Sequence, residues 1–251
     1  MVNTASAFAI DLREVGKAFG ELGALTGINL RIARESRVGI AGPSGGGKTT
    51  LLQIVAGLLE PDSRLVLVGG AATARRRLAC CALMRQRDLL LPWRTALDNA
   101  AIALENGEVP RAEARTRTRP LFERFGLASF ENARPAQLSG CMCQRVSFLP
   151  TLMAEKDVLL LDEPFGALDS ITRAQMQEWL VQARAAIPRT VLLVTHDVEE
   201  AFAAEPARVG VLDANRGAAR APPRGKRTSA PGQANLRASE PRTPRGTMSP
   251  T

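Results

Sequence analysis

The stretch that decides the fold is "GPSGGGKT", residues 42–49. It fits the pattern G-x-x-x-x-G-K-[ST], in which glycines let the backbone wrap a phosphate closely with successive N–H groups pointing inward. The helix that follows would present its positive N-terminus to the same anion. Lys48 can reach the outer phosphates of a nucleotide, and the Thr49 hydroxyl can ligate Mg²⁺. The segment therefore predicts a strand, a phosphate-binding loop (P-loop) and a helix in succession.

The sequence around this loop favours an α/β fold. Continuously apolar runs are typical of parallel strands covered on both faces, and three occur: "RVGIAG" (37–42), "VLLLDE" (158–163) and "TVLLVTH" (190–196). Helical patterns lie between them, "KTTLLQIVAGLL" (48–59) and "ITRAQMQEWLVQARAAI" (171–187). We therefore expect a doubly wound α/β layer. Residues from about 87 to 155 contain no such run, and we expect a helical subdomain there.

The second apolar run ends in two carboxylates. In "LLLDEP" (159–164), Asp162 lies at the predicted end of a strand, where it can hold Mg²⁺ through water. Glu163 follows directly and can orient and deprotonate an attacking water, which is the work of a general base. Together with the P-loop, this pair predicts a site for nucleotide hydrolysis.

Composition excludes several other classes of protein. With 251 residues, 45% of them hydrophobic, the chain can form one large domain or two small ones. It has no apolar run of about 18 residues and no secretion signal in its first residues, which predicts a cytoplasmic protein. The four cysteines form no Cys-x-x-Cys pair and His196 is the single histidine, so a zinc site is not expected.

The net charge of +8 is concentrated at the C-terminus. Residues 216–251 contain eight Lys or Arg, one acidic residue and six prolines, with few large apolar side chains. Such a segment cannot bury enough surface to offset chain entropy, so we expect a disordered basic tail. A contact of this tail with nucleic acid or anionic lipid stays open at this stage.

In their order along the chain, these motifs resemble those of the ATP-binding subunits of ABC transporters, in particular the nitrate, sulfonate and taurine import group. The resemblance runs from about Phe19 to Asp213. Phe19 matches the aromatic residue that stacks on adenine, and Gln86, six residues before "PW" (92–93), matches the Q-loop glutamine. Three further motifs match: the signature "LSGCM" (138–142), the D-loop "GALD" (166–169) and the switch-histidine motif "VTHD" (194–197).

The resemblance implies a P-loop NTPase core with a mostly parallel sheet over residues 1–215 and an inserted helical signature subdomain at about 87–155. It implies ATP and Mg²⁺ as ligands. The catalytic residues would be Glu163, His196 and Gln86, and the metal would be held by Thr49, Gln86 and Asp162. The implied nucleotide contacts are Phe19, Gly42, Pro43, Ser44, Gly45, Gly46, Gly47, Lys48, Thr49, Thr50, Ser139, Gly140 and Cys141.

The same resemblance implies partners and a location. Two such subunits, either identical or paired with a second ATP-binding subunit, would bind each ATP between the P-loop of one and the signature of the other. Transmembrane permease subunits and a periplasmic or lipoprotein substrate-binding protein would complete the system. The chain would lie in the cytoplasm, peripheral on the inner face of the cell membrane, and nucleic acid is not an expected partner.

Several positions depart from the family pattern. Cys141 replaces the second signature glycine, Cys143 replaces an arginine, and Pro150 replaces another arginine in "FLPTL" (148–152). "RES" (34–36) stands where Gly-Glu is usual. If the signature helix continues through Pro150, we expect a clash with the Val146 carbonyl costing about 3 kcal/mol. We therefore hypothesise that ATP binds normally and that hydrolysis is impaired.

Three functions stay open from the sequence. The first is an importer ATPase for a small oxyanion such as nitrate, a sulfonate or taurine. The second is a regulatory or scaffold subunit that binds ATP and hydrolyses it poorly. The third is a soluble, non-transport ABC ATPase acting on nucleic acid, which only the basic tail suggests. The cargo cannot be named, because substrate choice lies in other subunits.

Overall fold

Two β-sheets form the framework of the protein. The computed structural model describes residues 7–166, 173–174, 189–196 and 208–211. The first sheet is antiparallel in the order β2-β1-β4, formed by β1 (Phe8–Phe19), β2 (Leu22–Ala33) and β4 (Ser63–Val68). The second sheet is parallel in the order β5-β6-β7-β3-β8, formed by β3 (Arg37–Ala41), β5 (Cys81–Met84), β6 (Val158–Asp162), β7 (Thr190–Thr195) and β8 (Arg208–Val211).

The parallel sheet confirms the α/β fold class. The strands predicted from the three apolar runs are its central members β3, β6 and β7, and every residue in them is buried. Alternate side chains enter two different cores: Leu160 and Leu192 pack against α1 and the antiparallel sheet, whereas Leu159 and Leu193 pack against the helical region. Burial on both faces explains why these strands are apolar throughout.

The antiparallel sheet was not predicted. Its strand β1 lacks a regular alternation because its pairing with β2 shifts register between Leu12 and Val15, where Glu14 adopts a positive φ of 51°. A bulge of this kind changes which face the following side chains occupy, so the two-residue period is lost. Strand β5, with four residues, is too short to give a pattern of its own.

Five helices with described bounds accompany the sheets in this part of the chain. They are α1 (Lys48–Ala56), α2 (Ala74–Cys80), α3 (Ala96–Asn106), α4 (Arg111–Arg124) and α5 (Gly140–Met153). Helices α3, α4 and α5 lie in the predicted helical region, together with two 3₁₀ turns at Ala128–Phe130 and Pro135–Gln137. Among the described residues, none of these helices has both the length and the apolar character needed to cross a bilayer.

Helix α5 continues through Pro150 to Met153. The proline removes one N–H from the helix, yet the residues around it hold the helix in place, since Phe148 and Leu149 are fully buried and Leu152 is nearly so. Burial of each such side chain contributes about 1.5–3 kcal/mol, and the three together exceed the roughly 3 kcal/mol cost of the proline. The expected clash therefore does not end the helix.

Some predictions fall on residues that the structure does not describe. These are the helix at 171–187, apart from residues 173–174, the D-loop beyond Gly166, Asp197, and the basic tail at 216–251. The domain limits drawn from the sequence stay predictions for the same reason.

Candidate nucleotide-binding site

The candidate site lies where three parallel strands end. Ala41 of β3 pairs with Thr195 of β7, and Asp162 of β6 pairs with Val194 of β7. The chain therefore leaves the sheet at one edge in all three cases. The N–H of Gly42 donates to the Thr195 carbonyl at 3.2 Å, which ties the start of the P-loop to β7.

The P-loop needs glycine for two separate reasons. Gly45 and Gly47 have φ values of 79° and 77°, in the left-handed region that other residues rarely adopt. At Gly47 a Cβ atom would also lie 2.4 Å from the Ala24 carbonyl oxygen and 2.7 Å from the Leu25 side chain. The loop is thus packed directly against β2, and any side chain at position 47 would displace it.

The first turn of α1 presents N–H donors toward the loop. The N–H of Leu51 makes a 2.9 Å hydrogen bond to the Gly47 carbonyl, and the N–H groups of Lys48, Thr49 and Thr50 precede it. The first N–H groups of a helix have no acceptor within the helix, and glycine at the N-cap has no side chain to supply one. Such donors, together with the helix dipole, favour a bound phosphate.

Lys48 is held at the centre of this loop. Its side chain is almost fully buried, and its Nζ donates to the carbonyl oxygens of Gly42 at 2.8 Å and Pro43 at 2.9 Å. The same nitrogen lies 3.9 Å from Oε1 of Glu163. One positive charge is therefore fixed between the P-loop and the carboxylate at the end of β6.

The residues proposed for Mg²⁺ are neighbours. Asp162 is buried, and burial raises the pKa of its carboxyl, while a hydrogen bond from the Thr49 side chain and the charge of Lys48 act in the opposite direction. A carboxylate and a hydroxyl are oxygen ligands of the kind that Mg²⁺ prefers. The pair therefore fits a magnesium ion, which would also relieve the cost of burying the Asp162 charge.

Glu163 lies at the centre of a polar cluster. Its Oε2 accepts a 3.1 Å hydrogen bond from Nε2 of Gln86 and lies 3.1 Å from Nδ1 of His196. Because a carboxylate only accepts, Nδ1 is the donor in the second contact. Glu163 itself has a φ of 49°, and its N–H donates to the Val194 carbonyl at 2.9 Å. The three residues predicted to be catalytic thus meet at one carboxylate oxygen.

A cleft of about 350 Å³ is lined by the P-loop together with Gln86 and Glu163. Phe19 forms one wall with half of its surface exposed, and Nζ of Lys17 lies 5.7 Å from its ring centroid. Leu22 and Ala24 also line the cleft and were not predicted as site residues, although both closely follow Phe19 at the hairpin between β1 and β2. The full lining is Phe19, Leu22, Ala24, Ser44, Gly45, Gly47, Lys48, Thr49, Thr50, Gln86 and Glu163.

The signature residues lie elsewhere. Ser139, Gly140 and Cys141 are absent from the lining of the cleft and form the start of α5. The Ser139 hydroxyl caps this helix by accepting a 3.3 Å hydrogen bond from the N–H of Met142. A Cβ at Gly140 would meet no described atom within 4 Å, and the Cys141 side chain packs, partly buried, against the helical core.

Comparisons with known proteins agree on one family. The ABC transporter family model matches residues 25–166. The chain is 43% identical to an aliphatic sulfonates import ATP-binding protein of Rhodococcus jostii, over 77% of this chain and 75% of that protein. It is 44% identical to a taurine import ATP-binding protein of Chromobacterium violaceum, over 71% of this chain and 68% of that protein.

Solved structures give the same result. A bacterial ABC transporter cassette, solved as a dimer, has a TM-score of 0.75 and 31% identity, over 82% of this chain and 94% of that chain. A second structure of the same cassette, a dimer in a post-hydrolysis state bound to ADP and Pi, has a TM-score of 0.74 and 30% identity, with the same coverage of both chains.

Proposed function

The chain belongs to the ABC transporter family as an ABC-type ATPase, and from this premise we propose that it is the ATP-binding subunit of an importer for taurine or another small sulfonate. The observation that carries the proposal is the set of contacts around Glu163. Gln86, Lys48 and His196 come from three separate parts of the chain, and all three reach this one carboxylate. The names of the similar import proteins support the sulfonate class.

The P-loop would bind the phosphates of ATP. The N–H groups of the first turn of α1 would donate to the phosphate oxygens, and Lys48 would exchange its two carbonyl partners for the β- and γ-phosphates. The exposed face of Phe19 would stack on the adenine ring. Thr49, Asp162 and Gln86 would hold Mg²⁺, and the ion would neutralise charge on the β- and γ-phosphates.

Glu163 would act as the general base. Gln86 and His196 both engage Oε2, so they fix the orientation of the carboxylate. Oε1 faces Lys48 at 3.9 Å and is the oxygen placed to accept a proton from the attacking water. His196 is about half exposed and could also contact the γ-phosphate from the end of β7. The chain therefore supplies both the phosphate contacts and the base from one edge of one sheet.

A second ATP-binding subunit would complete the site. Ser139, Gly140 and Cys141 do not line the cleft of their own chain, which fits a role toward the nucleotide of a partner. The open surface over Gly140 leaves room for that partner. A similar cassette, solved as a dimer in two structures, supports this arrangement. We propose a homodimer, or a pair with a second ATP-binding subunit.

Permease subunits would dock on a groove beside α5. This groove has a volume of about 230 Å³, and its apolar wall includes Leu83, Leu89, Leu90, Ile102 and Pro150. Leu89 is 62% exposed and adds apolar surface to this groove. Docking there would place the chain on the inner face of the cell membrane, with a substrate-binding protein completing the importer.

The rate of hydrolysis is a separate part of the proposal. Cys141 adds a Cβ and a sulfur at a position where the family uses glycine close to the partner's nucleotide, and this favours slower closure of the dimer. Partial packing of Cys141 against the helical core favours a limited effect rather than complete loss. We propose an active ATPase with lowered turnover.

The test of the proposal is Glu163→Gln. The amide cannot accept the proton of water, so ATP turnover should fall at least about hundredfold while ATP affinity is retained. Phosphate release and equilibrium binding of a fluorescent ATP analogue measure the two quantities. The matched control is Glu155→Gln, because Glu155 has the same φ of 49° and lies exposed outside the cleft. Normal turnover in Glu163→Gln would contradict the assignment.

The cargo is tested in the complete transporter. Membrane vesicles that contain the chain and its permease should take up taurine or an alkanesulfonate in an ATP-dependent manner. Nitrate uptake without sulfonate uptake would assign the importer to a different oxyanion.

A further inference from the structure

The turn that follows β6 is held from two sides. The N–H of Glu163 donates to the Val194 carbonyl of β7 at 2.9 Å, and within the turn the N–H of Gly166 donates to the Glu163 carbonyl at 3.3 Å. From outside, Nε2 of Gln144 donates to the carbonyl of Pro164 at 3.1 Å. Gln144 belongs to α5, so the signature helix makes a direct hydrogen bond to the residue after Glu163.

Gln144 is buried, with 4% of its surface exposed. A buried amide is costly to leave without a partner, so this hydrogen bond fixes both the side chain and the carbonyl that accepts it. Beside it, Phe165 is 1% exposed and packs in the same core as Val146 and Leu149 of α5. The backbone on the C-terminal side of Glu163 therefore follows the position of α5.

The neighbouring residue of α5 reaches the other side of the cluster. The Cys143 thiol donates to the Pro135 carbonyl at 3.6 Å, and its pKa is raised by burial and by the negative charge of nearby Asp88. Asp88 follows Gln86 by two residues, and Gln86 donates to Oε2 of Glu163. Gln144 therefore contacts the turn after Glu163, and Cys143 lies near the segment that contains Gln86.

Glu163 needs such support because its backbone is strained. A φ of 49° in a non-glycine residue is unfavourable and is maintained by the surrounding structure. We infer that Gln144 is a positioning residue for hydrolysis: its hydrogen bond to the Pro164 carbonyl holds Glu163 in the strained conformation that places the carboxylate beside Gln86, His196 and Lys48. This inference rests on the proposed role of Glu163 as the general base.

The test replaces the amide without opening a cavity. Gln144→Leu and Gln144→Met introduce an apolar side chain of similar size and remove the hydrogen-bond donor. We expect either variant to lower kcat about tenfold, because a displaced base is poorly oriented toward its water. The Kd for ATP and KM should stay within about twofold of the wild-type values, since the phosphate contacts are unchanged.

Arg145→Met is the matched control. Arg145 is next to Gln144 in α5 and also donates to a backbone carbonyl, that of Phe125 at 2.9 Å, which lies outside the turn after β6. We expect this variant to lower the melting temperature and to leave kcat unchanged. A parallel fall of kcat in Arg145→Met and Gln144→Leu would show that the effect is general loss of packing, and it would overturn the inference.

A combination with Glu163→Gln separates positioning from structure. If Gln144 acts only through Glu163, then adding Gln144→Leu to Glu163→Gln causes no further loss of the residual single-turnover rate. Independent, multiplying losses would overturn the positioning role, as would failure of both Gln144 variants to fold. Full activity in Gln144→Leu beside an inactive Glu163→Gln overturns only this inference, whereas an active Glu163→Gln overturns the proposed function itself.

Discussion

A glycine lies at the start of both α1 and α5, as the N-cap residue Gly47 of α1 and as the first helical residue Gly140 of α5, and the two starts are built differently. Gly47 before α1 has a φ of 77° and no space for a Cβ, because the Ala24 carbonyl oxygen would be 2.4 Å away. Gly140 at the start of α5 has an ordinary φ and no described neighbour within 4 Å of a Cβ. Helix α1 lacks a side-chain cap, whereas the Ser139 hydroxyl caps α5.

The difference shows where each glycine is needed. At Gly47 the requirement is internal, since the fold of this chain leaves no room for a side chain. At Gly140 nothing within the described chain requires glycine, so a requirement there must come from another molecule. Changes at the start of α1 should therefore alter ATP binding and stability of a single chain. Changes at Gly140 and Cys141, which do not remove the Ser139 cap, should alter turnover alone.

The largest expected effect is at the start of α1. Lys48→Ala removes the buried charge that would meet the β- and γ-phosphates, and ATP affinity should fall at least about hundredfold. Isothermal titration with Mg-ATP measures the dissociation constant. Ser139→Ala provides the comparison at the start of α5 and should bind ATP as the wild type does. Equal losses in both variants would remove the distinction between the two helix starts.

The next effect compares the two glycines directly. Gly47→Ala combines a strained φ with a contact to backbone, and it should lower the free energy of unfolding by about 2 kcal/mol. Gly140→Ala should change it by less than about 0.5 kcal/mol, because the new methyl meets open space. Urea unfolding of the two variants gives both values. A stable Gly47→Ala variant would mean that the P-loop moves away from β2 easily.

The smallest effect is at the signature. Cys141→Gly removes the side chain beside the expected partner nucleotide, and turnover should rise roughly threefold to tenfold while ATP affinity stays constant. In the same assay, Gly140→Ala should shift turnover in the opposite direction. Steady-state phosphate release at saturating ATP measures both. An unchanged rate in Cys141→Gly would show that the cysteine is tolerated and that turnover is not lowered by it.

The parts of the fold that the sequence predicts are those with a local pattern. Strands β3, β6 and β7 were predicted because burial on both faces makes every residue apolar, as Leu159 and Leu160 illustrate. Strand β1 was missed because its bulge near Glu14 breaks the alternation, and that bulge depends on pairing with β2. The continuation of α5 through Pro150 could not be predicted, because the burial of the neighbouring side chains cannot be read from the sequence of the helix alone.

For the candidate site, the sequence predicted residue types and the structure supplied their contacts. The motifs identified Gln86, Glu163 and His196, yet they do not reveal that two of these side chains contact a single oxygen of the third. That contact depends on the register of β6 with β7. Gln144 was not predicted to be a site residue, because a glutamine on a helix is ordinarily exposed and only its burial distinguishes this one.

The order of strands also fixes a distance. One strand, β7, lies between β3, which leads into the P-loop, and β6, which leads into Glu163. Neighbouring strands are about 4.8 Å apart, so the two chain segments leave the sheet about 10 Å apart. The outer phosphate and one water molecule must fit within that gap. Substitution of strand side chains leaves this spacing unchanged. The distance between the phosphate loop and the base is therefore set by the strand order, and it can be retained while much of the sequence diverges.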